Sequence, residues 1–113
     1  MMNGYDREEA LAFITARINR KEHSELASQI ESLIGQAIDA DMAFMHENGV
    51  LDQNGNAGDE FYEDDEAFEY MVETIVANND LTPEQAVKVA ALVDDYMDFQ
   101  QEYLESKGLV DWE

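Results

Sequence analysis

Apolar residues recur along this chain with the 3.6-residue period of a helix, and four segments show it. In the first, Leu11, Ile14 and Ile18 fall on one face, flanked by Ala10 and Phe13. Asp6-Arg7-Glu8-Glu9 before them fits a capping box across which Tyr5 can staple onto Ala10. Arg17, Arg20 and Lys21 gather at the far end, where a helix dipole favours cations. A break near Asn19 to His23 leads into the longest series: Leu26, Ile30, Leu33, Ile34, Ala37, Ile38, Met42 and Met45. Gly49 stops this second helix, with Val50 placed for the hydrophobic contact that accompanies a glycine C-cap.

The stretch from Asp52 to Gly58 is a loop rich in turn residues. A third helix is expected from about Asp59 to Asn79, burying Phe61, Phe68, Met71, Val72, Ile75 and Val76. Leu81-Thr82-Pro83-Glu84-Gln85 is the strongest start signal in the chain. Thr82 caps, Pro83 takes the first helical position, Gln85 completes the box and Leu81 can staple onto Ala86. Ala86, Val89, Ala90, Val93, Met97 and Leu104 make the stripe of this fourth helix, which Lys107-Gly108 ends. No strand pattern competes. The expected fold is all-α: one four-helix, bundle-like domain over 1–113.

The second and fourth helices resemble one another at a separation of 59 residues. Phe44 to Asp52 lines up with Tyr103 to Asp111, and Ile30, Leu33, Ile34 and Ile38 with Val89, Leu92, Val93 and Met97. Asp41 and Gln100 also correspond, each a polar residue inside an apolar stripe. The pattern predicts two pseudo-symmetric helical hairpins, 1–58 and 59–113. An unpaired buried carboxylate is costly, so Asp41 is expected in a hydrogen-bonded polar layer with Gln100 or a Tyr.

Charge changes the picture most. The 113 residues hold 27 Asp and Glu against 6 Lys and Arg, a formal net charge of -21. Leu, Ile, Val and Phe make up 26 of them, just above the ~20% below which high charge means disorder. The chain is expected to fold, but against its own repulsion. An acidic excess of this size opposes direct binding to nucleic acid or anionic membrane and favours a basic partner. With no Cys, disulfides and thiolate chemistry are excluded. The polar start, Met1 to Arg7, is no secretory signal, and no apolar run approaches the ~18 residues of a membrane span. A cytoplasmic location is the expectation.

The charge is unevenly placed. Residues 1–23 balance Arg7, Arg17, Arg20 and Lys21 against Asp6, Glu8, Glu9 and Glu22, so the remainder carries the whole excess. At 100° per residue, Asp59, Glu63, Glu66, Glu69 and Glu73 point away from the apolar stripe of the third helix. Asp94, Asp95, Asp98, Glu102 and Glu105 do the same on the fourth. Two acidic ridges on neighbouring helices are predicted to bind a basic protein surface. The composition resembles that of DNA-mimic proteins, which are small, very acidic, often helical and often carried by phages against restriction, repair or CRISPR systems. That resemblance covers the charge pattern and implies an inhibitor of a nucleic-acid-binding protein. From Asp94 to Glu105 the row has about one charge per 5 Å, against one per ~1.7 Å of duplex DNA. The two ridges, or a homodimer, therefore have to act together. The bland alternative is an acidic helical module whose charge serves solubility.

Two metal readings are weaker. Asp52, Asn54, Asn56 and Glu63 occupy positions 1, 3, 5 and 12 of an EF-hand-like loop, but Ala57 stands where the turn needs Gly. A polar turn is the favoured reading. Glu66-x-x-Glu69 and Asp95-x-x-Asp98 resemble the ExxE…ExxD arrangement of all-α nucleotide pyrophosphohydrolases, which hold magnesium against a triphosphate. Few bases remain to neutralise such a substrate. His23 and His46 lie in no metal motif and are read as surface or boundary residues; no cofactor is called for and no catalytic residue is assigned. Trp112 is available to cap the bundle or to make a dimer contact.

Overall fold

The computed structural model describes residues 5–19, 21–49 and 64–108. Four helices pack against one another around one core: α1 (Arg7–Arg17), α2 (Ile30–Glu47), α3 (Asp64–Asn79) and α4 (Pro83–Ser106). Among the described residues there is no strand, and no helix is long and apolar enough to cross a membrane. The fold is the all-α bundle that the periodicity predicts.

The ends follow local chemistry. Asp6 caps α1 by accepting from the Glu9 amide at 3.1 Å. Thr82 and Gln85 make the full reciprocal capping box of α4, with Pro83 behind the cap. Gly49 and Gly108 take the positive φ expected after α2 and α4. The end of α3 is less obvious: Asp80 adopts φ 50°, and the Leu81 amide reaches back to the Val76 carbonyl at 3.2 Å. This is a Schellman closure made without glycine. The expected start of the second helix divides in two, a 3-10 turn (Ser24–Gln29) running into α2. Leu26 and Ile30 are both buried, but Ile30 already belongs to α2, so a single buried apolar residue in the 3-10 turn gives periodicity nothing by which to separate the two.

Around the bundle, α1 touches α2 and α4, α3 touches α2 and α4, and α2 meets α4 across the middle, whereas α1 and α3 do not touch. The stripes of α2 and α4 are buried in register. Ile30, Leu33, Ile34, Asp41, Phe44 and Met45 and their counterparts Val89, Leu92, Val93, Gln100, Tyr103 and Leu104 all lie inside. The outer helices correspond too, at a separation of 57: Ala10, Ile14 and Ile18 are buried on α1 and its end, and Ala67, Met71 and Ile75 on α3. One aromatic contact repeats with this symmetry. Phe13 of α1 meets Tyr103 of α4 with ring centres 5.5 Å apart, and Tyr70 of α3 meets Phe44 of α2 at 5.7 Å.

The buried line of α3 differs from expectation. Ala67, Met71 and Ile75 face the core, while Phe68, Val72 and Val76 are half-buried on its flank. The small Ala67 is fully enclosed, and the larger Phe68 and Val72 pack against the core from its edge. The expected start of α3 and Phe61 lie outside the described residues. Across the α1–α2 seam, Arg7 clasps Asp39 with two bonds, 2.8 and 3.0 Å, and donates to the Gly35 carbonyl at 3.3 Å. A Cβ on Gly35 would come within 3.0 Å of that guanidinium.

Candidate functional site

On α3, Asp64, Asp65, Glu66, Glu69 and Glu73 are exposed; the last four stand away from the Ala67–Met71–Ile75 line, and Asp64 is the first residue of the helix, one turn before Ala67. On α4, Asp94, Asp98, Glu102 and Glu105 are exposed, opposite Val89, Tyr96 and Gln100. Among the described residues none of these nine carboxylates forms an ion pair. Glu105 accepts a bond from Gln101 at 3.1 Å, one turn back on the same helix. Each ridge points away from the core, so on adjacent helices the two diverge around a corner of the bundle. Asp59 and Glu63 lie outside the described residues.

Of the described bases, Lys88 lies on α4 itself, and three others are engaged at α1. Arg7 is held by Asp39, Arg17 lies 3.5 Å over the Phe13 ring, and Lys107 pairs with Glu9. All three interactions involve α1 or its contacts, so the corner that carries α3 is left without a compensating base from them.

Asp95 departs from the expected ridge. Its side chain is only 33% exposed, and its Oδ2 lies 2.7 Å from Nε2 of His23. On the helical wheel Asp95 sits closer to the core than Asp94 or Asp98, on the flank that meets the turn between α1 and α2. His23 correspondingly is a core histidine, 7% exposed, and not the surface or boundary residue that its sequence context suggested. Glu22 joins the pair, the ligand atoms of all three lying within 4.8 Å of one another. This is the one such group of three among the described residues. Sequence reasoning had no signal for it beyond the wheel position of Asp95, because its partners lie 72 residues away.

The four carboxylates Glu66, Glu69, Asp95 and Asp98 do not converge. Three face solvent, the fourth is taken by His23, and they form no common group of ligand atoms. The physical reason is that the spacing repeats on the outer faces of both helices, where side chains splay apart. The loop residues Asp52, Asn54, Asn56 and Glu63, and likewise Trp112, lie outside the described residues.

Beneath the surface runs the expected polar layer. Tyr96 donates to Asp41 at 2.8 Å, and Tyr5 donates to Gln100 Oε1 at 2.8 Å. Asp41, Gln100, Tyr96 and Tyr5 are all buried. The Gln100 Nε2 has no hydrogen-bond partner among the described residues. Burial is the main cause that raises the Tyr5 phenol above its ordinary value, opposed by the Gln100 bond. With its side chains buried, the layer ties the start of α1 and helix α2 to α4. No protein-family model, no curated protein and no solved structure matches this chain.

Proposed function

We propose that this chain is a non-catalytic binding protein that engages a basic protein surface through the exposed acids of α3 and α4. In its most specific form it occupies the nucleic-acid-binding surface of a DNA- or RNA-binding protein, as a phage or mobile-element inhibitor of host defence would. The observation that carries the reading is the set of exposed carboxylates on two adjacent helices with no ion pair among the described residues. Like charges at i,i+4, such as Asp94 with Asp98 and Asp98 with Glu102, each cost a helix about 0.2–0.5 kcal/mol. A basic partner relieves that repulsion, and the attraction speeds encounter in a salt-dependent way. The divergence of the ridges shapes the reading further. A partner that contacts both must wrap the α3–α4 corner, as a nucleic-acid channel wraps a rod.

The test is capture from a host lysate by the tagged chain and by a variant with Asp94→Lys, Asp98→Lys and Glu102→Lys. Basic nucleic-acid-binding proteins should be retained, elute with salt and be displaced by duplex DNA. The variant should keep its helical circular dichroism and retain none of them. Neutral partners, salt-insensitive retention or equal capture by the variant would each count against the proposal.

A further inference from the structure

We propose that Glu22, His23 and Asp95 form a binding site for one divalent first-row transition-metal ion, of which zinc is the natural probe. The ligand atoms of the three side chains lie within 4.8 Å of one another, and His23 Nε2 is 2.7 Å from Asp95 Oδ2. Zinc bonds to imidazole nitrogen and carboxylate oxygen run about 2.0–2.2 Å, so donors on a tetrahedral ion stand about 3.3–3.6 Å apart. The His23–Asp95 pair, at 2.7 Å, has to open by roughly 0.6–0.9 Å to admit the ion. Glu22 is exposed, and its side chain can swing to complete the set.

Chemistry selects the class of ion. An imidazole nitrogen favours zinc and its first-row neighbours over magnesium or calcium, which take oxygen. Two carboxylates this close repel one another, and a dication answers both. The exposed ridges hold carboxylates alone; this group adds a nitrogen donor that is buried to 6% side-chain exposure.

Backbone geometry supports a formed site. The turn that carries Glu22 and His23 is fixed by the Lys21 amide on Asn19 Oδ1, the Glu22 amide on the Asn19 carbonyl, and the Leu26 amide on the His23 carbonyl. Asp95 lies in the middle of α4, a continuous helix of 24 residues. The ion would cross-link the α1–α2 connection to the longest helix, with its open side toward water through Glu22.

The experiment is a zinc titration of the full chain, followed by calorimetry and by the ring resonances of the two histidines, in excess magnesium and moderate salt. Magnesium occupies diffuse acidic sites, and His46 serves as an internal control. One ion per chain should bind, the His23 resonances should move, and those of His46 should stay. Glu22→Gln, an exposed change compatible with folding, should weaken zinc binding at least about 10-fold, the scale on which supporting groups alone tune a site. His23→Gln should abolish it. Binding that magnesium displaces, that moves His46 instead, or that survives unchanged in Glu22→Gln would overturn the proposal. If His23→Gln does not fold, the Glu22→Gln result decides.

Discussion

Replacing Tyr96 by Phe removes one oxygen from the centre of the molecule and little else. The ring is 0% exposed and keeps its packing, while Asp41, 2% exposed, loses a donor that sits 2.8 Å from its carboxylate. Water cannot take the place of that donor without opening the core. An ordinary hydrogen bond contributes about 1 kcal/mol net, and removing one partner of a buried bond costs about 1–3 kcal/mol. The expected loss is therefore about 2 kcal/mol, or a fall in Tm of roughly 8 °C for a domain of this size. Tyr103→Phe is the matched control. Tyr103 is equally buried, but its hydroxyl stands 3.4 Å from the Asp6 carbonyl and 3.5 Å from Glu9, too far for a strong bond. That change should cost less than about 0.5 kcal/mol. Urea denaturation of both variants measures the difference directly. If Tyr96→Phe matches the parent, or the two variants lose the same amount, the Asp41–Tyr96 bond does not hold the core together as argued.

Three further outcomes follow from the charge and the backbone. Raising NaCl from about 0.01 M to about 1 M shortens the screening length from roughly 30 Å to 3 Å, so a chain of net charge -21 should gain Tm; a flat or falling Tm would contradict self-repulsion. Burial raises the folded Tyr5 phenol above its unfolded value near 10, so its contribution is complete below pH ~10 and declines as pH climbs beyond it. Tyr5→Phe should flatten that alkaline loss in stability curves. Asp80 holds a left-handed φ of 50°, and Asp80→Gly should gain up to about 1 kcal/mol. Asp80→Asn removes the same charge, and the glycine variant must exceed it in thermal melts for strain to be the cause.

The parts of the fold that the sequence announced are those whose signals are local. The ends of α4 are legible because Thr82 to Gln85 specify its start and Lys107-Gly108 its end; of its expected stripe Val89, Val93 and Leu104 are buried, whereas Ala86, Ala90 and Met97 are half-buried and Tyr96 and Tyr103 take the interior. Asp41 and Gln100 were legible as a pair because polar residues interrupt otherwise apolar stripes at matching positions. The buried face of α3 differs from its most hydrophobic face: Phe68 and Val72 outrank Ala67 in hydrophobicity, yet Ala67 is fully buried and they are half-buried. His23 was hidden for a different reason. Its burial depends on a turn docking against α4, a contact between segments 72 residues apart that no local spacing records. Among the described residues, the exposure of Glu66, Glu69, Glu73, Asp94, Asp98, Glu102 and Glu105 is readable from wheel geometry, and Asp95 is the exception that the same docking draws away.

The packing order of the helices bears on how the molecule approaches anything charged. α1 and α3 occupy opposite corners of the bundle and never touch. α1 brings Arg7 and Arg17 and receives Lys107 through Glu9, whereas α3 brings five acids and no base. Among the described residues the charge excess is thus weighted toward the α3 corner, which gives that part of the molecule an electric dipole across the bundle. In the field of a cationic surface it experiences a torque as well as a pull, and turns its α3 corner forward while still separated from that surface by solvent.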